Sequence, residues 1–209
     1  MSTTAHNILD IEDALVSDEN PARNNGTLDY ERCARLHNYL AALGWMARNG
    51  KETPDLDALA AEKHFFSEGN DEVETIRERL DIPLNKFLDL VYDPSDFFYW
   101  VNGLAMMLAD EFFIVDENEW EDFERFVVIY DLIPDLGGHS LGVVYDQLLN
   151  QASFPMTIDN MDSVEPVEEH MEMWFPLETI LTQWIYMTQI GRAVPGLPES
   201  LPSGDPPDE

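Results

Sequence analysis

The stretch Glu117-Asn118-Glu119-Trp120-Glu121-Asp122-Phe123-Glu124-Arg125-Phe126-Val127-Val128-Ile129-Tyr130-Asp131-Leu132 decides how the fold is read. Trp120, Phe123, Val127 and Tyr130 recur every three or four residues, the spacing that gathers apolar side chains on one helix face. Glu117, Glu119, Glu121 and Asp122 fill the first turns, where the positive end of a helix dipole favours carboxylates. The spacing predicts a helix from about Glu117 to Leu132, aromatics inside and acids outside.

The segments on either side carry the same period. Upstream, Asp93-Pro94 opens an apolar segment to about Val115 whose polar positions, Asn102 and Asp110, share one narrow face. Such a pattern predicts a helix in the middle of a bundle. Cys33, Leu36, Leu40, Leu43 and Ala47 predict a helix over Leu28–Arg48 that ends at Asn49-Gly50. Thr53-Pro54 reads as an N-cap and first helical position, opening a helix to about Phe66. Val73, Ile76 and Leu80 mark another, stopped before Pro83, and Pro83 opens a short helix with Phe87, Leu88 and Val91. A further short helix is predicted near Ile8–Val16. Downstream, a Gly-Gly turn leads into a helical Leu141–Asn150, and residues 153–165 read as an acidic loop. Pro176 opens a last helix with Leu177, Ile180, Leu181, Trp184 and Ile185 inside, Glu178 near its start and Arg192 near its end. With no repeat of fixed period, the expected class is all-α, a compact bundle of about eight helices with disordered termini. The predicted organisation is a flexible acidic segment over 1–26, one helical domain over 27–194, and a disordered Pro-rich acidic tail over 195–209.

Charge restricts function more than any motif does. Forty-two Asp and Glu against eleven Lys and Arg in 209 residues give a formal charge of −31. The imbalance is uneven, net −11 over residues 1–109 and −20 over 110–209. Such a chain repels nucleic acid and anionic membrane and attracts basic proteins and cations. Direct nucleic-acid binding needs clustered Lys and Arg that are not here. Eleven Phe, seven Tyr and five Trp supply a core that a disordered acidic chain lacks. Salt adaptation is a second reading of the charge, supported by only three lysines but opposed by nine Met and many large aromatics.

Cys33 is the single cysteine, so no disulfide framework or thiolate cluster is expected, and its place in a helical pattern predicts burial. The N-terminus shows no basic-then-apolar leader, and the expectation is an intracellular, non-secreted protein. Asn25-Gly26-Thr27 matches a glycosylation acceptor that such a setting leaves unused. Phe97–Val115 is apolar enough to test as a membrane span. Its uninterrupted part, residues 97–109, reaches only about 20 Å as a helix against a hydrocarbon core of ~30 Å.

Three constellations bear on chemistry. Gly138-His139-Ser140-Leu141-Gly142 fits G-x-S-x-G and resembles the nucleophile turn of lipases and esterases. That resemblance implies Ser140 as nucleophile, Asp159 or Asp162 as acid and His170 as base. Against it stand Pro134 in the preceding apolar run, the short chain remaining after Ser140, and the absence of any evident parallel sheet. The competing reading is an interhelical glycine turn with Ser140 as N-cap. Glu168, Glu169, His170 and Glu172 cluster without a Glu-x-x-His pair, and Asp116-Glu117-Asn118-Glu119 starts like a calcium loop without its glycine and terminal glutamate. Asp159, Asp162 and Glu165 are a third loose acidic set. Solvated acids explain all three, so no metal and no cofactor is expected. Finally, Glu111–Phe126 interleaves acids with aromatics, a pattern that can dock basic, apolar partners.

Trp100-x-Asn102-x-x-Ala105-x-x-Leu108, and later Gln183-Trp184-Ile185 with Gly191, are similar to the tryptophan-centred helices of a fungal family of all-helical proteins with no assigned activity. The resemblance implies an all-helical fold and carries no functional residue.

The sequence therefore predicts an acidic, non-catalytic interaction or adaptor protein that binds a basic protein partner, by mimicking or competing with nucleic acid. Asp116, Glu117, Glu119, Glu121, Asp122 and Glu124 are its candidate partner-binding face. The alternative is a serine hydrolase using Ser140, His170 and Asp162. Self-association is left open.

Overall fold

Local signals at its two ends delimit the longest helix. The Asp29 carboxylate accepts from the Arg32 N–H at 3.3 Å, and Gly50 takes φ +58°, turning the chain so that its N–H reaches back to Ala47 O. Between these caps, in a computed structural model that describes residues 7–61, 71–92, 101–104, 125–132, 142–153 and 171–195, helix α1 runs from Tyr30 to Asn49. Helix α2 is Leu56–Ala61, and its start is set by Asp55, whose carboxylate accepts from the N–H groups of Asp57 and Ala58, rather than by Thr53. Helix α3 is Asp71–Arg79. Helix α4, Ile82–Leu90, has Pro83 in its first turn and the Asp81 carboxylate 2.7 Å from Leu84 N. Helix α5, Leu177–Gln189, opens after Pro176.

Between α4 and α5 the described residues are mostly strands. Strands β1 (Val101–Leu104), β2 (Phe126–Leu132), β3 (Gly142–Asp146), β4 (Gln151–Ser153) and β5 (Trp174–Phe175) form one antiparallel sheet in the order β1-β2-β3-β4-β5. Three expected helices fall here. The segment read as 93–115 is a strand at residues 101–104, the segment read as 117–132 is a strand from Phe126, and Leu141–Asn150 is a strand and the turn of a hairpin. The residues expected to be helical near Ile8–Val16 form turns. The molecule is a mixed helix-and-sheet protein, not a compact all-α bundle of about eight helices. The all-helical fold implied by the family resemblance fails with it, because Asn102 lies on β1, whereas Trp184 lies on α5.

The reason lies in β2. Val127, Val128, Ile129 and Tyr130 are all buried, because β2 is an inner strand covered on both faces. A strand buried on both sides has no apolar–polar alternation, so Val127 and Tyr130 satisfy a helical spacing by default. A bulge between Val128 and Tyr130 shifts the pairing with β3. Opposite it, Gly142 has no room for a side chain: an added Cβ would strike Val128 Cγ1 and lie 2.6 Å from Tyr130 O.

The two sheet faces bury different things. Successive strand residues point oppositely, so Val143 and Tyr145 enter the main core with α1, α4 and α5, while Val144 joins Trp174, Phe126, Leu149 and Met173 behind the sheet. Tyr130 joins the layers: its ring meets Trp184 of α5 edge-on at 5.2 Å, and its hydroxyl reaches His37 of α1.

Residues 7–28 do not hang loose as the sequence reading expected of the 1–26 segment. Ile11, Ala14 and Leu28 enter the main core, and Val16 N donates to Thr182 Oγ1 on α5. One guanidinium fixes the path. Arg32 Nε donates to Ala14 O, Nη1 to Pro21 O, and Nη2 to both Leu15 O and Asn20 O, all at 2.7–2.9 Å. The planar fork of arginine suits this arrangement of divergent acceptors. The tail expected to be disordered lies, from residue 196, outside the described residues.

Candidate interaction site

Two buried polar groups hold the frame in place. His37 is fully buried, with Nε2 2.6 Å from Tyr92 O and Nδ1 2.8 Å from Tyr130 Oη. A carbonyl only accepts, so Nε2 carries the ring proton and Nδ1 receives the Tyr130 hydroxyl. Burial pushes the His37 pKa down to about 3, partly offset by the Tyr92 carbonyl, and the ring is neutral at ordinary pH. Asp146 is the second group. Its Oδ2 takes Arg125 Nε and Nη2 at 3.0 and 2.7 Å, and its Oδ1 takes the N–H groups of Leu148 and Leu149. The same hairpin turn reaches the α3–α4 junction, where Gln147 accepts from Asp81 N and donates to Arg79 O.

A third polar cluster surrounds Cys33, which is buried as its helical position predicts. Its Sγ lies 3.7 Å from Glu178 Oε2, and Glu178 Oε1 accepts from Arg23 N. Burial, and then the Glu178 charge, hold the thiol well above its ordinary pKa, so it is not a nucleophile. Tyr145 is likewise held far above the usual phenol range, by burial first and then by the Asp81 charge. These groups are satisfied inside the core.

Two clefts border the described residues of α1 and α2. One, of about 380 Å³, is lined by Asn7, Ile8, Asp10, Ile11, Arg35, Asn38, Leu56 and Tyr92. Asn38 is occupied, donating to Leu90 O and accepting from Tyr92 N. Arg35 is also occupied, by both oxygens of Asp13 and by Asp10 O. Leu56, 47% exposed, separates this cleft from a second, of about 480 Å³, bordered by Trp45, Lys51, Asp55 and Asp57. The result is an apolar floor with a carboxylate rim. Asp10 lines the first cleft and Asp55 and Asp57 the second, and Glu12, Asp13, Asp18 and Glu19 also project to solvent from the 7–28 segment. Sequence reading missed this rim because it treated 1–26 as loose. The signal was present, since Ile8, Leu9, Ile11, Ala14 and Leu15 interleave with the acids.

The cations behave differently from the acids. Arg32 goes to main-chain carbonyls, Arg35 to Asp13, Arg23 to Asp29, Arg77 to Asp89 and Arg125 to Asp146. The Lys86 ammonium sits 5.0 Å from the Tyr30 ring centre. Among the described residues most positive charge is thus spent inside the chain, while Asp10, Glu12, Asp18 and Glu19 face water.

The residues singled out from sequence for the partner face, Asp116, Glu117, Glu119, Glu121, Asp122 and Glu124, lie outside the described residues. So do Ser140, the loose set Asp159, Asp162 and Glu165, and Glu168, Glu169 and His170 of the other cluster, whose Glu172 is described and exposed. Gly142, which closes the Ser140 motif, is described, and it begins β3. A nucleophile turn needs a strand running into a helix beside a parallel sheet. Here β2 and β3 are antiparallel neighbours and the motif runs into a strand. The reading of this turn as interhelical fails for the same reason. Among the described residues, no three His, Cys, Asp or Glu side chains converge to hold an ion, and no helix is long and apolar enough to cross a membrane. None of the family models, curated proteins or solved structures compared with this chain matches it.

Proposed function

We propose that this chain is an acidic, non-catalytic interaction module that binds a basic protein partner and competes with nucleic acid for it. The observation that carries the reading is the division of charge: cationic side chains are consumed by internal partners, while Asp10, Glu12, Asp18 and Glu19, which form no ion pair among the described residues, stand on the surface. A partner carrying Lys or Arg recovers Coulomb energy at that rim, and the apolar floor at Ile8, Leu56 and Tyr92 seats the aliphatic stems of those side chains. Asp116, Glu117, Glu119, Glu121, Asp122 and Glu124 belong to the same proposal as a second acidic face.

Affinity capture from the native host's lysate tests it, with elution stepped from 0.15 M to about 0.5 M salt, since exposed charge pairs are screened within a Debye length of about 10 Å near 0.1 M. The expected result is one basic protein, retained stoichiometrically, released by salt and displaced by duplex DNA. Reversing Asp10, Glu12 and Asp18 to Lys, or separately Asp116, Glu119 and Glu121, identifies the face by lost capture at an unchanged melting temperature. Retention of a neutral or acidic partner that ignores both salt and DNA overturns the reading.

A further inference from the structure

Asn-Gly occurs three times in the chain, at Asn25-Gly26, Asn49-Gly50 and Asn102-Gly103, and the fold treats the three unequally. Glycine lacks the side chain that would hinder its own nitrogen, so an Asn-Gly bond is the sequence at which a main-chain nitrogen most readily reaches the preceding side-chain amide carbon. We infer that Asn25 is a site of spontaneous deamidation, through a cyclic succinimide closed by the Gly26 nitrogen.

The geometry at Asn25 favours ring closure. Residues 25–27 are exposed, and Gly26 takes φ +72° with nothing within 4 Å of where a side chain would begin. Among the described residues neither the Gly26 N–H nor the Asn25 Nδ2 makes a hydrogen bond, which leaves the attacking nitrogen and the departing one both unencumbered. The carbonyl between them is held. Asn25 Oδ1 accepts from Thr27 N at 3.2 Å and from Thr27 Oγ1 at 2.9 Å. Gly26 N lies within the loop that the Thr27 N–Asn25 Oδ1 hydrogen bond closes. The two Thr27 donors are aimed at the oxygen that becomes negative when Cγ is attacked, as in an oxyanion hole.

The step balances with water as the only co-reactant. The Gly26 nitrogen gives its proton to solvent and attacks Cγ, and the tetrahedral oxyanion at Oδ1 collapses. Nδ2 takes up a proton and leaves as ammonia. Water then opens the ring at Cγ, giving aspartate, or at the main-chain carbonyl of residue 25, giving isoaspartate. Isoaspartate adds a methylene to the main chain at a junction, since Asn150 Nδ2 donates to Gly26 O and Asn150 Oδ1 accepts from Leu28 N and from the Tyr145 hydroxyl.

The other two bonds are held. Gly50 N donates to Ala47 O in the cap of α1, and Asn49 Nδ2 donates to Trp45 O. Gly103 lies on β1, in register with Asp131.

The full chain is incubated at neutral and mildly alkaline pH and its peptides are mapped by mass spectrometry, with enzymatic methylation to mark isoaspartate. The expected result is an amide-to-acid mass gain and isoaspartate at residue 25, faster as pH rises, with residues 49 and 102 lagging. The lag should vanish in denaturant, Gly26→Ala should slow conversion at least several-fold, and Thr27→Val should slow it as well. Conversion at Asn25 no faster than at Asn49 in the folded chain overturns the inference. So does an unchanged rate in Gly26→Ala, or a preference for Asn25 that persists in denaturant.

Discussion

Acidification titrates one buried group whose contribution can be isolated. His37 has a folded pKa of about 3 against an ordinary 6.5, because burial disfavours its charged form. A group with a depressed folded pKa contributes stability that is present above its unfolded pKa and lost as pH falls toward its folded one. The unfolded chain binds the extra proton throughout that interval. The window therefore runs from 6.5 down to about 3. Well inside it each pH unit removes about 1.4 kcal/mol, so acidifying from 6.5 to 4.5 removes roughly 2 kcal/mol. That is a sizeable part of the 5–15 kcal/mol typical of a domain. The many carboxylates titrate in the same range, so the measurement is a difference. Urea unfolding of the wild type and of His37→Gln is followed at several pH values between 7 and 4.5. At pH 7 the variant is less stable, since Tyr130 and the Tyr92 carbonyl lose a well-placed partner. Well inside the window the gap closes by about 1.4 kcal/mol per unit of acidification. A gap independent of pH would refute the reasoning, because it would mean that His37 takes its proton in the folded chain as easily as in the unfolded one.

Three further substitutions probe the frame. Asp146→Ala leaves Arg125, 13% exposed in its side chain, without its buried carboxylate and frees two main-chain N–H groups; a loss of about 3–5 kcal/mol is expected in denaturant unfolding. Gly142→Ala drives a methyl against Val128 and the Tyr130 carbonyl, and since main chain cannot swing aside, a loss of about 1–3 kcal/mol is expected in thermal unfolding. Arg32→Lys keeps the charge but not the fork. Hydrogen exchange should show residues 14–21 losing protection, whereas retained protection would mean the segment is held by Ile11 and Ala14 alone.

Helix ends were largely legible in the sequence. Gly50 stops α1, Pro83 sits in the first turn of α4, and Pro176 precedes α5, as their sequence positions indicate. The buried Cys33 was legible from its place in the helical period. The sheet was not, although β-branched and aromatic residues at Val127–Tyr130 and Val143–Tyr145 were the available signal. Consecutive apolar residues fit a period of 3.6 as well as they fit a strand covered on both faces, and only the pairing of Val127 with Tyr145 and Val128 with Val144 separates the two. The interaction rim was half legible, since the acids stand plainly at 10–19, whereas the packing that displays them depends on Arg32 capturing four carbonyls.

By itself, then, the sequence determined what short-range physics decides: capped helix termini, a large apolar core, and a net charge that sets which partners are attracted. Tertiary structure alone decided the sheet, the burial of a neutral His37 between Tyr130 and Tyr92, and the inward use of the arginines. Each of these depends on groups distant in sequence meeting in space, and no local spacing records such a meeting.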